Sequence, residues 1–296
     1  MLRLSPLVSL FGRLEAAAAT TPRMTHEVCR IGGHSHGYGL VEGDGPTVVL
    51  LHGWALAHVA YGAAAEEIAR RGYRVVVPDL PGFGDSSDLP VFGLGYDAYA
   101  ARVIAFLEGC EDLAGEPVHL VGHSFGGAVT AQVARHRPDL VTSAVLVSAV
   151  GSRDWREGEG GSSLADRPLY DWGYHLVSEF PTGRFPRAAL GVLHDLSHNL
   201  FWHPASLGLS AGMIRRHDLR AEFDEVREAG VPVAVVWADG DKVITRACFD
   251  EQCRSLGVQG RVVTGNHGWP LSRPDSFGET IGEILGAMEA STTCRT

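Results

Sequence analysis

Ser124 lies in the run Gly122-His123-Ser124-Phe125-Gly126-Gly127, a G-x-S-x-G pattern. The residues before it, Val118 to Val121, have the character of a strand, and Phe125 to Arg135 that of a helix. A serine on so sharp a strand-to-helix turn holds a strained backbone, which costs roughly 1–3 kcal/mol and marks a functional site. Gly122 and Gly126 flank it where a Cβ would collide across the turn. The helix that follows aims its N-terminal N–H groups at the reacting atom. The chemistry this predicts is attack of a serine hydroxyl on a carbonyl carbon, which needs a base to take the proton. The pattern alone arises by chance, and a serine in it can simply cap a helix. The strand before and the helix after favour the nucleophile.

His267 is the candidate base. It sits in Gly265-Asn266-His267-Gly268-Trp269, directly after a last strand pattern at Arg261 to Thr264. Of fourteen histidines it alone combines a post-strand loop with the chain order serine, acid, histidine. Upstream, the strand pattern Val233 to Trp237 ends in Ala238-Asp239-Gly240-Asp241, which offers two carboxylates to orient the histidine.

His52-Gly53-Trp54 directly follows the apolar run Thr47 to Leu51. With this pair in place the sequence resembles the α/β-hydrolase family, in its serine-nucleophile, esterase-like branch with a cap insertion. The resemblance implies that the backbone N–H of Trp54 and that of Phe125 form an oxyanion hole, two preset donors for the charge developing on a carbonyl oxygen. His52 itself is expected to be a buried structural residue. The family places its acid in a W-G-x-x-D pattern; Trp237 and Asp241 match it, while Ala238 stands where glycine is usual. Asp241 is therefore favoured over Asp239, and Asp154, after the preceding strand, is a further alternative. Asp79-Leu80-Pro81-Gly82-Phe83-Gly84-Asp85-Ser86 resembles the family's loop after its fourth strand and is expected to be structural. The matching pieces cover about residues 39 to 150 and 231 to 290.

The elements that must position these residues alternate strand and helix from about residue 37. Strand patterns fall at Thr47–Leu51, Tyr73–Val77, Val118–Val121, Val145–Val150, Val231–Trp237 and Arg261–Thr264, with helical patterns at Ala63–Arg71, Tyr99–Leu107, Phe125–Arg135 and Phe277–Met288. The expected architecture is α/β, an α/β-hydrolase fold: a mostly parallel twisted sheet with helices on both faces and a helical cap insertion. The alternation stops over residues 151–230, a stretch with turn glycines (Gly158, Gly160, Gly161) and rich in aromatics, among them Trp155, Tyr170, Trp172, Tyr174, Phe180, Phe185, Phe201 and Trp202. The expected division is a hydrolase core at 24–150 and 231–296, a cap at 151–230, and an N-terminal extension at 1–23. In that extension Leu4, Leu7, Val8, Phe11 and Leu14 fall at helical spacing, and Arg13 and Glu15 interrupt what would otherwise imitate a secretory signal.

The 296 residues suit one core plus an insertion, and 45% hydrophobic with 20% charged residues indicates a folded globular chain. A net charge of −10 without a dense basic stripe argues against nucleic acid and against docking on anionic lipid. The five cysteines form no C-x-x-C pair and read as free thiols, so the expected setting is cytoplasmic. The proposed chemistry needs no cofactor. His194, His198 and His203 are spaced like metal ligands, but no fourth ligand stands out, and no metal is expected. The expected partner is a small-molecule substrate, an apolar ester; oligomeric state is left open. Three functions remain: a carboxylic ester hydrolase for small or medium apolar acyl groups, another reaction of the same triad (C–C bond, lactone or thioester cleavage, or perhydrolysis), and a ligand-binding sensor of low turnover on the same scaffold.

Overall fold

The computed structural model describes residues 22–113, 115–152, 186–216 and 218–293. The N-terminal extension up to residue 21, Asp154, and six of the cap aromatics (Trp155, Tyr170, Trp172, Tyr174, Phe180 and Phe185) lie outside the described residues.

Eight strands form one sheet: β1 (Thr25–Ile31), β2 (His34–Val41), β3 (Thr47–Leu51), β4 (Arg74–Pro78), β5 (Val118–His123), β6 (Val141–Val147), β7 (Val233–Ala238) and β8 (Arg261–Val263). Their spatial order is β1-β2-β4-β3-β5-β6-β7-β8. β1 and β2 are antiparallel, as are β2 and β4, and every other pair is parallel. The chain steps outward from β3 to β4, then crosses back to place β5 on the other side of β3. At such a switch point the loops leaving neighbouring strands diverge and open a crevice at the carboxyl ends. β3 and β5 lie side by side there, with Leu51 opposite Gly122. His52 and Ser124 therefore leave adjacent strands at the same edge.

The period of two along each strand sorts side chains into two cores. Val48, Leu50, Val75, Val77, Val121 and Val145 face one layer, with Phe277, Ile281 and Leu285. Val49, Leu51, Val76, Leu120, Ala144 and Leu146 face the other, with Tyr99, Val103, Phe125 and Phe223. The first layer is built from α1 (Gly62–Ala69) and α9 (Pro274–Thr293), which pack together. The second holds α2 (Tyr96–Gly109), α3 (Phe125–His136), α6 (Arg220–Glu228) and α7 (Arg246–Leu256). A short helix, α8 (Trp269–Ser272), follows the His267 loop. Both faces of the central strands are covered, which explains why stretches such as Val48–Leu51, Val75–Val77 and Ala144–Val147 are continuously apolar rather than alternating.

Two differences from the sequence expectation have clear physical causes. β6 starts at Val141 and ends at Val147, because Ser148 takes φ +43° and turns the chain out of the ladder while Ala149 and Val150 stay buried. β1 and β2 form a hairpin that the hydrophobic pattern does not announce. β1 is almost wholly exposed, and its turn is carried by Gly32 and Gly33 at φ +57° and +84°. A Gly-Gly pair between two short runs is a two-residue hairpin signal.

Between β6 and β7 lie α4 (Pro186–Trp202), α5 (Pro204–Arg216) and α6. α4 and α5 sit on the loops that follow β3 and β4. Asp195 accepts the N–H groups of Ala57 and Ala60, and the Asn199 side chain accepts from Gly84 N and donates to the carbonyl of Ala55. α6, by contrast, packs on α3 and α7 within the core layer. Among the described residues no helix is long and apolar enough to cross a membrane.

Candidate active site

Ser124 occupies the turn between β5 and α3 with φ +53° and ψ −114°, a conformation that a residue with a side chain adopts only under constraint. The constraint is visible in the backbone. Ser124 N donates to the carbonyl of Val147, and the Ser124 carbonyl accepts from both Gly127 N and Val150 N. A Cβ on Gly122 would collide with the backbone of Gly126, and one on Gly126 with the carbonyls of Leu51 and His52. The turn is thus wedged between β3 and α3, and its hydroxyl is fixed in direction.

His267 Nε2 lies 3.0 Å from Ser124 Oγ, and His267 Nδ1 lies 2.9 Å from Asp241 Oδ2. All three residues are buried. The three elements that bring them together are the ends of β5, β7 and β8. Asp241 is held firmly: its Oδ1 accepts the N–H groups of Val243 and Ile244, each at 2.8 Å, and the Ser148 hydroxyl also donates to its carboxylate. Burial pushes this carboxyl up, but the facing His267 and these donors more than offset it, and the group stays below the ordinary carboxylate range. Asp239 is exposed, and its Oδ1 accepts from Gly265 N at 3.2 Å. It braces the loop that carries His267 and does not reach the imidazole. The alternative acid after β6, Asp154, lies outside the described residues.

Phe125 is the first residue of α3, where the N–H has no acceptor within the helix. Trp54 follows the end of β3 across the Gly126–Leu51 contact, and its indole Nε1 donates to Ser210 Oγ on α5 at 2.9 Å. The His52 side chain is fully buried, donating from Nδ1 to the carbonyl of Gly53 and accepting Leu80 N at Nε2. It ties the β3 loop to the β4 loop, the structural role expected of it. In the β4 loop Ser86 Oγ donates to the carbonyl of Asp79 and accepts from Gly37 N, and Asp85 N donates to Asp79 Oδ2.

Among the described residues no three His, Cys, Asp or Glu side chains are placed to hold a metal ion. His203, between α4 and α5, contacts Asp88 and the carbonyl of Gly84 and so joins this turn to the loop after β4, while His194 contacts its neighbour Asp195 within α4. Of the cap aromatics named from the sequence, Phe201 and Trp202 are among the described residues, 79% and 72% exposed. Sequence reasoning missed Ser148. Its signal is weak, since the positive φ that aims it at Asp241 belongs to the fold and not to the residue type.

The buried neutral histidines give the site an acid sensitivity. Burial lowers His52 from its ordinary 6.5 to about 4, and burial, with the nearby His267, lowers His123 to about 3. Between 6.5 and those values the unfolded chain takes up protons that the folded chain refuses. Stability must therefore fall as pH drops through this window, by up to about 1.4 kcal/mol per pH unit for each histidine. Thermal unfolding should show Tm decreasing steadily from pH 6.5 to 4.5; a level Tm over that range would contradict the neutral assignment.

The chain matches the family model described as alpha/beta hydrolase fold over residues 46–174. It is 35% identical over 215 residues to the pimeloyl-[acyl-carrier protein] methyl ester esterase of Chromobacterium violaceum, covering 68% of this chain and 78% of that one. It is 26% identical over 265 residues to the human monoacylglycerol lipase, covering 83% of this chain and 77% of that one. Among solved structures, the enol-lactonase from Burkholderia xenovorans superposes with a TM-score of 0.68 at 18% identity, over 88% of this chain and 100% of that one, which bears on the fold alone. By its sheet order and by these similarities the chain belongs to the α/β-hydrolase family, in its esterase-like branch.

Proposed function

We propose that the protein cleaves carboxylic esters of small or medium apolar substrates by a Ser124–His267–Asp241 triad. The observation that carries this reading is the unbroken run from Asp241 Oδ2 through both nitrogens of His267 to Ser124 Oγ, at 2.9 and 3.0 Å. Asp241 fixes the tautomer in which His267 Nδ1 carries the proton, leaving Nε2 free to take one from Ser124. The serine oxygen adds to the ester carbonyl, and the N–H groups of Trp54 and Phe125 receive the oxyanion. Collapse of this intermediate breaks the C–O bond, and the proton held on His267 leaves with the alcohol. Water then loses a proton to His267 Nε2, attacks the acyl-serine and releases the acid. Every proton in the cycle passes through one imidazole, and no further group is required for the balance.

In this reading the stretch 151–230 acts as a cap that sets the substrate. The Trp54–Ser210 bond supports it, since it joins the expected oxyanion loop to α5. The reading also takes Cys29, Cys110, Cys248 and Cys253 as reduced thiols, which suits a reducing compartment such as the cytosol.

A panel of p-nitrophenyl esters of graded acyl length, with lactones and diketones, tests the substrate class. Activity should rise from acetate over the next few carbons, each buried CH₂ adding up to about 0.8 kcal/mol, and fall once the pocket is full. Turnover of lactones or diketones with none of esters would assign a different reaction to the triad. Absence of turnover throughout would favour a ligand-binding role.

A further inference from the structure

We infer that Tyr61 and His123 are positioning residues, a two-side-chain bridge that holds the oxyanion-side loop and the His267 loop in fixed relation across Ser124. The inference rests on the triad reading above and adds two residues to it.

The bridge has four members. Gly53 N lies 2.9 Å from Tyr61 Oη, Tyr61 Oη lies 2.6 Å from His123 Nδ1, and His123 Nε2 lies 2.9 Å from the carbonyl oxygen of His267. Tyr61 is fully buried, and His123 nearly so. One end adjoins Trp54, an expected oxyanion donor. The other end is the backbone of the expected base. The middle, His123, is the residue immediately before the nucleophile.

Each proton in this chain has one possible place. The carbonyl of His267 can only accept, so His123 Nε2 must carry a hydrogen. Burial keeps the imidazole neutral, so Nδ1 is bare and accepts. Tyr61 must then donate its hydroxyl hydrogen to His123, which leaves its oxygen to accept from Gly53 N–H. Burial pushes the phenol pKa upward, which keeps that hydrogen in place. The direction therefore runs without a break from the Gly53 amide to the His267 carbonyl, and neighbouring bonds in such a chain strengthen one another.

Gly53 fits the same purpose. A Cβ there would stand 3.1 Å from Tyr61 Oη and 3.2 Å from His123 Nδ1, closer than ordinary contact. The absence of a side chain lets the backbone approach both. The His123 and His267 rings also lie against one another, centroids 4.9 Å apart and tilted by 42°. If this space only needed filling, apolar groups of similar shape would fill it at little cost. Two buried polar side chains with every hydrogen assigned instead fix a geometry.

Tyr61→Phe removes the hydroxyl that serves both neighbours. His123→Asn keeps an acceptor near the Nδ1 position and loses the donor to His267. His123→Gln keeps a donor near the Nε2 position and loses the acceptor for Tyr61. With p-nitrophenyl butyrate, Tyr61→Phe and His123→Asn should each lower kcat by about 10- to 100-fold, the scale of a misplacement of about 1 Å, while KM stays within about threefold. A trifluoromethyl ketone, which forms the tetrahedral adduct on Ser124, should weaken by the same factor as kcat. His123→Gln, which opens the bridge on its Tyr61 side, should lose kcat to about the same extent as Tyr61→Phe. The double variant Tyr61→Phe with His123→Asn should lose far less than the product of the single losses, since either change alone opens the bridge.

Folded variants with kcat within twofold of the native value would overturn the bridge, as would losses that multiply or a loss confined to Tm. Should the variants not fold, the native protein decides through ¹⁵N spectra of its histidines. His123 must show a bare Nδ1 and a protonated Nε2 from pH 6 to 9, and the opposite tautomer would overturn the inference. The two readings fail differently. A native protein whose Ser124 a fluorophosphonate does not phosphonylate overturns triad and bridge together. A native protein phosphonylated there, with variants of native kcat, overturns the bridge alone.

Discussion

Ser124→Ala is expected to lower kcat on p-nitrophenyl butyrate by about 10⁶, because triad members act as a unit and the remaining groups cannot replace the nucleophile. The change removes one buried oxygen, which pairs with His267 Nε2. The three backbone hydrogen bonds that hold the turn at φ +53° do not involve the side chain. The fold should therefore survive, with residual turnover from the oxyanion donors and from binding alone. Steady-state rates on the purified variant, with circular dichroism to confirm folding, measure the effect. A folded variant that kept a tenth of the native rate would exclude Ser124 as nucleophile.

Asp241→Asn is expected to cost about 10⁴ in kcat, with the site geometry nearly unchanged. The amide oxygen can keep the two bonds from Val243 N and Ile244 N. Its NH₂ group then faces His267 Nδ1, where the carboxylate Oδ2 stood at 2.9 Å. Two donors cannot face one another, so the imidazole adopts the tautomer with the proton on Nε2, which cannot accept from Ser124. Asp239→Asn supplies the control. Asp239 is exposed and its side chain accepts from Gly265 N, and an asparagine oxygen serves that bond equally well, so activity should stay within a fewfold. The reverse ranking of the two variants would transfer the acid role to Asp239.

The parts of this fold that were legible in the sequence are those whose burial is two-sided. Val48 to Leu51 are covered by helices on both faces, so the strand signal is a continuous apolar run, and Val118 to Val121 departs from such a run only at the buried His119. The serine turn was legible because its glycines are required by contacts a few residues away, Gly122 with Gly126 above all. β1 was not legible, since an exposed edge strand carries no apolar pattern, and β2 is diluted by Gly37 and Gly39. The helix α7 also escaped the pattern, though Thr245 at its N-cap and Gly257 at φ +67° beyond its end are its boundary signals. Most of the candidate site could be assigned because each residue sits at the end of its own strand. The Tyr61–His123–His267 bridge could not. Its members are 62 and 144 residues apart, and only the folded sheet gives them a common neighbour.

The central claim, that Ser124 is a nucleophile activated by His267, is tested most directly by covalent labelling. Native protein treated with a fluorophosphonate, digested and mapped by mass spectrometry should carry one adduct, on Ser124, and His267→Ala should react far more slowly at the same position. An adduct on any other residue, or a native protein left unmodified while its ester turnover persists, would contradict the account.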